Sequence, residues 1–372
     1  MVNVLSLVSY PFLPARFGGQ KAIAGFYHYL SAGVNLYCVT TKKNDPGAAD
    51  GYPVLNILSD SPLRYINPFY FFTLRKIIRE KKITHLLLEH PYYGWLGILL
   101  KRYTGVKLVI RSHNIEGLRW KTLGKWWWKW LWKYERKVHR AADLNFFIHE
   151  GDLNYAIRHF NLDEQYCILL EYGIDQDKPP SAEEKSAARD FLVKQYKIPK
   201  DHFIFLYNGS FGYLPNLNAL KKILFTIYPE LVKKQEGHFT IIICGKGIPG
   251  EITAQTFPAI IFAGFVEDIA TYFKGADVFL NPTLEGGGIK TKIVEAIGYG
   301  TTVVSTVTGA AGINEADCGT KLLVVPDDKW GEFASGVIKS ANDHSATPAT
   351  YYERYYWKNI IREITIKLES QI

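Results

Sequence analysis

Cysteine is scarce, with four residues in 372 at positions 38, 167, 244 and 318, and no two of them form a Cys-x-x-Cys pair. That spacing excludes a disulfide scaffold, argues against a structural zinc site and predicts a reduced, cytoplasmic setting. Long apolar runs are missing as well: nothing approaches the roughly 18 uninterrupted apolar residues that a bilayer span needs, and no charged n-region leads into an apolar core at the start. The expectation is a chain that neither crosses a membrane nor is secreted. No Walker signature is present, which weakens an ATPase reading. No Asp-x-Asp closes an apolar run in the manner of a metal–nucleotide ligand, so neither a metal nor any other cofactor is expected. Internal repeats are absent. What remains is 47% apolar and 15% aromatic, too apolar for disorder and too long for one ordinary domain, so two packed domains are expected.

The net charge of +8 is modest for this length, and its distribution says more than its sum. Between Arg119 and Arg140 stand eight basic residues, one acid (Glu135) and six tryptophans. Elsewhere the two signs are interspersed, as on a solvated surface.

Short apolar runs recur at residues 2–9, 36–40, 85–89, 107–111 and 144–148, separated by stretches long enough for helices. A second series lies at 203–207, 239–244, 260–263, 278–280, 302–305 and 322–325. Runs that alternate with helical segments imply parallel sheets covered on both faces, hence two doubly wound α/β domains. The charged segment 173–199, with Pro179-Pro180, is the candidate connection between them. In such sheets ligands bind beyond the carboxyl ends of the strands, so the loops after these runs are where chemistry is expected.

The most informative loop reads Asn281-Pro-Thr-Leu-Glu285-Gly286-Gly287-Gly288-Ile-Lys290-Thr-Lys292-Ile-Val-Glu295. A buried run enters three glycines and then a helix. Amides unshielded by Cβ atoms at a helix start attract an anion, and Lys290 and Lys292 add full positive charge, which together make a phosphate cradle. Gly288, Lys292 and Glu295 share a helix face, where a carboxylate can accept ribose hydroxyls. The plainer alternative is a solvated helix start in which Lys292 and Glu295 form an ordinary i,i+3 pair.

Around this loop stand Asn208-Gly209-Ser210-Phe211 at the head of the second domain, Gly264-Phe265-Val-Glu-Asp268 with Asp268 as a helix cap, and Thr306-Val-Thr-Gly309. In the first domain stand Gly18-Gly19, Arg111-Ser-His113-Asn114 and Glu171-Tyr-Gly173-Ile-Asp175. In order and spacing, over nearly the whole chain, this set resembles the retaining GT-B glycosyltransferases of family 4 (group 1). The resemblance implies a GT-B fold, two Rossmann-like α/β domains facing across a cleft: an acceptor-side domain over 1–176, a nucleotide-sugar domain over 177–350, and a terminal helix from about 351 to 372 crossing back to the first. It implies that Glu295 holds the ribose, that Gly209, Gly287 and Gly288 line the diphosphate loops and that Phe265 frames the base. His113 would reach the donor sugar, and Gly18-Gly19 would close on donor and acceptor.

Two departures from the family pattern stand out. The first glutamate of its E-x7-E element is replaced by Gly287, leaving Glu285 as the nearest acid, and the Arg/Lys pair common after the first strand of the second domain is absent. Lys290 and Lys292 are therefore the candidates for neutralising the diphosphate. The catalytic candidates are His113, Lys292 and Glu295. His90 and Asn114 are acceptor-side candidates, with an ordinary structural role as the alternative for each histidine.

On a helical wheel Trp127, Leu131, Tyr134 and Val138 form one stripe, leaving Trp128 and Trp132 with Lys125 and Lys129 on another. Rings among lysines suit the boundary of an anionic bilayer; internal packing or a dimer interface is the alternative, and a nucleic-acid partner is not expected. The resulting expectation is a cytoplasmic transferase, peripheral on the inner face of the membrane. It would move a sugar from a nucleotide-diphosphate donor to a glycan or lipid-linked acceptor in surface polysaccharide synthesis. A GT-B epimerase or hydrolase and a non-catalytic scaffold subunit remain as alternatives.

Overall fold

The structure is a computed structural model that describes residues 2–15, 18–235, 238–286 and 288–371. The chain divides into two compact units: residues 1–173 together with 357–372, and residues 174–356.

The first unit is built on a seven-stranded parallel sheet: β1 (Asn3–Leu7), β2 (Asn35–Thr41), β3 (Val54–Leu58), β4 (His85–Glu89), β5 (Lys107–Ser112), β6 (Leu144–Phe147) and β7 (Cys167–Leu169). Their order is β3-β2-β1-β4-β5-β6-β7, and every pairing is parallel. The second unit repeats the scheme with β8 (Phe203–Asn208), β9 (Phe239–Cys244), β10 (Ile260–Gly264), β11 (Val278–Asn281), β12 (Thr302–Thr306) and β13 (Leu322–Val325), in the order β10-β9-β8-β11-β12-β13. Each strand order reverses once, between β1 and β4 and between β8 and β11. Those two switch points are where a doubly wound sheet opens a crevice at its strand ends.

Central strands such as β4, β9, β11 and β12 are buried along their whole length, which is why their apolar runs are continuous rather than alternating. The edge strands β3 and β7 were not anticipated from the sequence. They are mostly half-buried and β7 is only three residues long, so neither carries a strong apolar run.

The segment 173–199 is not a plain connection. Ala182–Tyr196 is a helix with a complete capping box between Ser181 and Glu184, and it belongs to the second unit. The expected terminal helix is two helices, Ala349–Tyr355 and Trp357–Glu369, interrupted at Tyr356 by an extended residue that bridges to Ile174. The first stays in the second unit; the other belongs to the first unit, where Trp357 packs on Phe26, Tyr29 and Tyr172.

Candidate functional site

In the second unit, the loops after β8 and β11 meet at the switch point. Asn216 clamps the first of them, donating to the Ser210 carbonyl at 3.1 Å while its own carbonyl accepts from Tyr207 at 3.0 Å. Backbone bonds from Gly209 to Cys244, Phe211 to Lys246 and Gly245 to Gly264 tie the loops after β8, β9 and β10 together. The approach is so close that a Cβ on Gly245 would collide with the Gly209 carbonyl.

The loop after β11 runs through Gly286 and Gly288, both at positive φ (88° and 70°), a conformation open to glycine at little cost. It feeds the helix Thr291–Gly298. The carbonyls of Val294, Ile297 and Gly298 at the far end accept hydroxyl bonds from Tyr351, Thr347 and Tyr352, so this short helix is anchored at its C-terminal end and presents its N-terminal amides toward the glycine loop.

Lys292 lies in the first turn. Its ammonium donates to the Asn208 carbonyl at 3.2 Å and to Asn216 Oδ1 at 3.0 Å, and it stands 4.6 Å above the Tyr207 ring. These partners are neutral, and no carboxylate among the described residues forms an ion pair with it. Burial, helped by the neighbouring charge of Lys290, lowers its pKa to about 7. Lys290 folds back on its own loop, donating to the Gly286 and Gly288 carbonyls at 2.7 and 3.1 Å, and burial lowers it to about 8.

Glu295 is half-buried one turn further along the helix. Glu285 is exposed and accepts from the Asn218 amide at 3.1 Å. Phe265 is exposed with the Lys246 ammonium 4.1 Å from its ring centre. Asp268 caps the helix Ile269–Gly275 as expected. Gly287 lies outside the described residues. The structure thus brings Gly209, Gly288, Lys290 and Lys292 to one switch point.

In the first unit the ends of β4 and β5 carry a buried polar cluster. Glu89 receives Arg111 Nη1 at 3.1 Å and pairs with His113 Nε2 at 2.6 Å. Arg111 is fully buried; its other terminal nitrogen donates to the Ala22 carbonyl and it covers the Phe26 ring at 4.3 Å. Although burial opposes its charge, Arg111 and His113 hold Glu89 down to about 2. Burial, with His90 nearby, lowers His113 to about 4. A charged Glu89 and a neutral His113 fix the tautomer: Nε2 carries the proton and donates it to the carboxylate.

His90 packs against His113 with ring centres 4.4 Å apart and the rings tilted by 32°, and holds a positive φ of 67°, a strained setting for a residue with a Cβ. Its Nδ1 lies 3.2 Å from Glu116 Oε1. Glu116, fully buried, also accepts from Tyr92 at 2.6 Å and from Arg119 at 3.2 Å. Burial works against it, yet His90, Tyr92 and Arg119 keep it charged, near 2. Asn114 contributes its carbonyl to Ser112 at 2.7 Å, and Gly18-Gly19 open the helix Gly18–Ser31.

Glu116 escaped the sequence reading, and so did the pairing of Glu89 with Arg111 and His113. Glu89 did leave a signal, as an acid ending the otherwise apolar strand Leu86-Leu87-Leu88; Glu116 left only its i,i+3 spacing to Arg119, because its other partners, Tyr92 and His90, come from another element.

The tryptophan segment folds as a short helix, Glu116–Thr122, a turn at Gly124, and a longer helix, Trp128–Ala141. Trp132, expected at a lipid boundary, instead packs on Phe160 at 5.4 Å, donates to Tyr155 at 3.1 Å and lies against Gly117. Trp128 is half-buried, 5.0 Å below Lys121 and 5.7 Å from Lys129. Lys125 and Lys129 are exposed. The rings that face solvent are Trp126 and Trp130.

Among the described residues no three His, Cys, Asp or Glu side chains converge as a metal site would require, and no helix is long and apolar enough to cross a membrane.

A family model described as "Glycosyltransferase Family 4" matches residues 27–178, and one described as "Glycosyl transferases group 1" matches residues 202–343. No curated protein matches the chain. Among solved structures, the Anabaena protein Alr3699/HepE in complex with UDP aligns at a TM-score of 0.75 and 14% identity, over 99% of this chain and 100% of its own. The same protein is also known in complex with UDP-glucose. A glycosyltransferase from Rickettsia africae aligns at 0.72 and 13% identity over 100% and 98% of the two chains. Sucrose-phosphate synthase from Thermosynechococcus elongatus aligns at 0.70 and 16% identity over 99% and 98%.

Proposed function

The chain belongs to the family-4 (group 1) glycosyltransferases of the GT-B type, and from that membership we propose that it moves a sugar from a nucleoside-diphosphate donor to a glycan or lipid-linked acceptor with retention at the anomeric carbon. The observation that carries this reading is the Lys292 ammonium. It is held among neutral oxygens beside the Thr291–Gly298 amides, with no carboxylate among the described residues forming an ion pair with it, so a diphosphate is a fitting counter-charge.

In this reading the donor's diphosphate lies on the glycine loop with Lys290 and Lys292 beside it, and Glu295 takes the ribose hydroxyls. The bond between the anomeric carbon and the phosphate oxygen breaks with its electron pair going to the diphosphate, where the two ammonium groups stabilise the developing charge. The acceptor oxygen bonds to the anomeric carbon on the same face, and its proton passes to the departing phosphate oxygen. His113, whose Nε2–H is engaged by Glu89, accepts a sugar hydroxyl through Nδ1 and orients the donor. The two lysines supply the charge that a divalent metal would otherwise bring, so transfer is read as metal-independent. UDP sugars are the first donors to examine, since Alr3699/HepE binds UDP and UDP-glucose. The setting is cytoplasmic and peripheral to the membrane, in surface polysaccharide synthesis.

Calorimetry with UDP, GDP and ADP tests the reading. One of them should bind, Lys292→Ala should weaken that binding, and His113→Ala should lower turnover more than donor affinity. Failure of all three nucleotides would favour a scaffold subunit; formation of an epimer without acceptor would favour an epimerase. Turnover unchanged by EDTA is expected, and its loss would overturn the metal-independent step.

A further inference from the structure

The first unit exposes large apolar side chains in two separate stretches of sequence. Leu63, Ile66, Phe69 and Phe72 lie on the turn Pro62–Ile66 and the start of the helix Tyr70–Glu80; Trp126 and Trp130 lie at the outer end of the tryptophan segment. Each of the six is 65–84% exposed, unusual for rings and aliphatic chains of this size gathered on one unit.

The two stretches are fastened to the same turn. Trp95 Nε1 donates to the Tyr65 carbonyl at 2.8 Å, and the Tyr65 ring lies 5.7 Å from Tyr92. From the other side, the Tyr134 hydroxyl accepts from the Trp95 amide at 2.9 Å and donates to the Tyr92 carbonyl at 3.2 Å. Both apolar stretches therefore flank residues 91–95, immediately after His90.

Their charge is one-sided. Residues 62–82 hold six basic residues and one acid, Glu80; residues 119–140 hold eight and one acid, Glu135. Glu135 is fully buried, accepting from the amides of Glu116 and Gly117 at 2.9 Å, and Glu80 is paired with Lys76.

We propose that these two stretches form one docking face for an anionic lipid bilayer, with Leu63, Ile66, Phe69, Phe72, Trp126 and Trp130 entering the headgroup boundary. The proposal rests on the peripheral-membrane part of the function proposed above and replaces Trp128 and Trp132 as its contact residues. Charge selects the bilayer over a second copy of the chain. A two-fold contact would lay the same basic surface against itself, whereas anionic headgroups neutralise it while the rings bury apolar area. The consequence for the enzyme is placement. Tyr92, bonded to Glu116, and His90 stand directly behind this face, so an acceptor anchored in the bilayer is delivered to the histidine cluster.

The test uses the full chain and sedimentation with vesicles of phosphatidylglycerol and phosphatidylcholine, against phosphatidylcholine alone. Wild type should bind the anionic vesicles and release them with added salt. Phe69→Ser with Phe72→Ser, and separately Trp126→Ser with Trp130→Ser, should each cut partitioning about tenfold, and the four changes together about a hundredfold. Thermal melting and nucleotide affinity should stay as in wild type, which separates a lost face from a lost fold. Wild type that ignores anionic vesicles overturns the proposal, as does unchanged binding by the Phe69/Phe72 variant. A wild-type dimer in light scattering that the same variants convert to monomer would make a second copy the occupant and overturn it too. Absence of nucleotide binding, measured separately, would strike the transferase reading and leave the vesicle result standing.

Discussion

Two polar clusters at equivalent places in the two units balance their charge in opposite ways. At the ends of β4 and β5 the two carboxylates find partners within the protein: Arg111 and His113 for Glu89, Arg119 and His90 for Glu116. At the ends of β8 and β11 the Lys292 ammonium meets a carbonyl, an amide oxygen and a ring face, and among the described residues no acid pairs with it. A charge paired inside the protein is spent on holding geometry. A charge solvated only by dipoles keeps most of its field for an incoming anion, at the cost of a lowered pKa. In the proposed function the first cluster orients and the second binds.

The sharpest way to break this contrast is Glu89→Gln. It leaves the Arg111 guanidinium buried without its counter-charge and should cost about 3 kcal/mol or more of stability, read by urea unfolding; a loss under 1 kcal/mol would mean that the pairing is not what holds the cluster. Because Glu89 sits near 2 in the folded chain and near 4 unfolded, its contribution is present above pH 4 or so and fades as pH falls toward 2.

Lys292→Ala should come next, weakening nucleotide binding about a hundredfold, the scale of one charge-assisted contact to phosphate. A change below threefold in calorimetry would place the diphosphate elsewhere.

The pH dependence should follow with a smaller effect. Lys292 and Lys290, near 7 and 8 when folded, bind fewer protons than the unfolded chain between about pH 7 and pH 10, so this pair makes stability rise with pH across that window. Nucleotide affinity should move the other way, falling by up to about tenfold per unit above pH 8 as the ammonium groups lose their protons. Binding heats in buffers of different ionisation enthalpy should show proton uptake at pH 8.

The smallest effect is expected from Lys290→Ala. Its ammonium is already bonded to carbonyls of its own loop, so affinity should fall only two- to fivefold. A loss equal to that of Lys292→Ala would remove the distinction between the two lysines.

Much of this arrangement was legible beforehand, for identifiable reasons. Central parallel strands are buried on both faces, so Phe239–Cys244 and Val278–Asn281 had to be apolar throughout and announced themselves. The glycines and lysines of 286–292 are contiguous, so their joint chemistry was visible in one line of sequence. Edge strands leave weaker traces, and Val54–Leu58 and Cys167–Leu169 went unseen.

The tryptophans show where a helical wheel misleads. The wheel sorted Trp128 and Trp132 outward, but Trp132 is claimed by Tyr155 and Phe160 from a helix more than twenty residues away. Trp126, which precedes the helix, is left in solvent. Likewise Leu63, Ile66, Phe69 and Phe72 stand exposed although nothing in the local sequence marks them as surface residues.

The sequence by itself determined the alternation of strand and helix, the two doubly wound sheets and the glycine–lysine loop that opens a helix, because each depends on neighbours within a few residues. Tertiary structure alone decided which acids are buried against Arg111 and the two histidines, which lysine is held by neutral groups among the described residues, and which aromatic rings remain outside. Those outcomes depend on burial and on partners tens of residues away, and a local pattern carries no record of either.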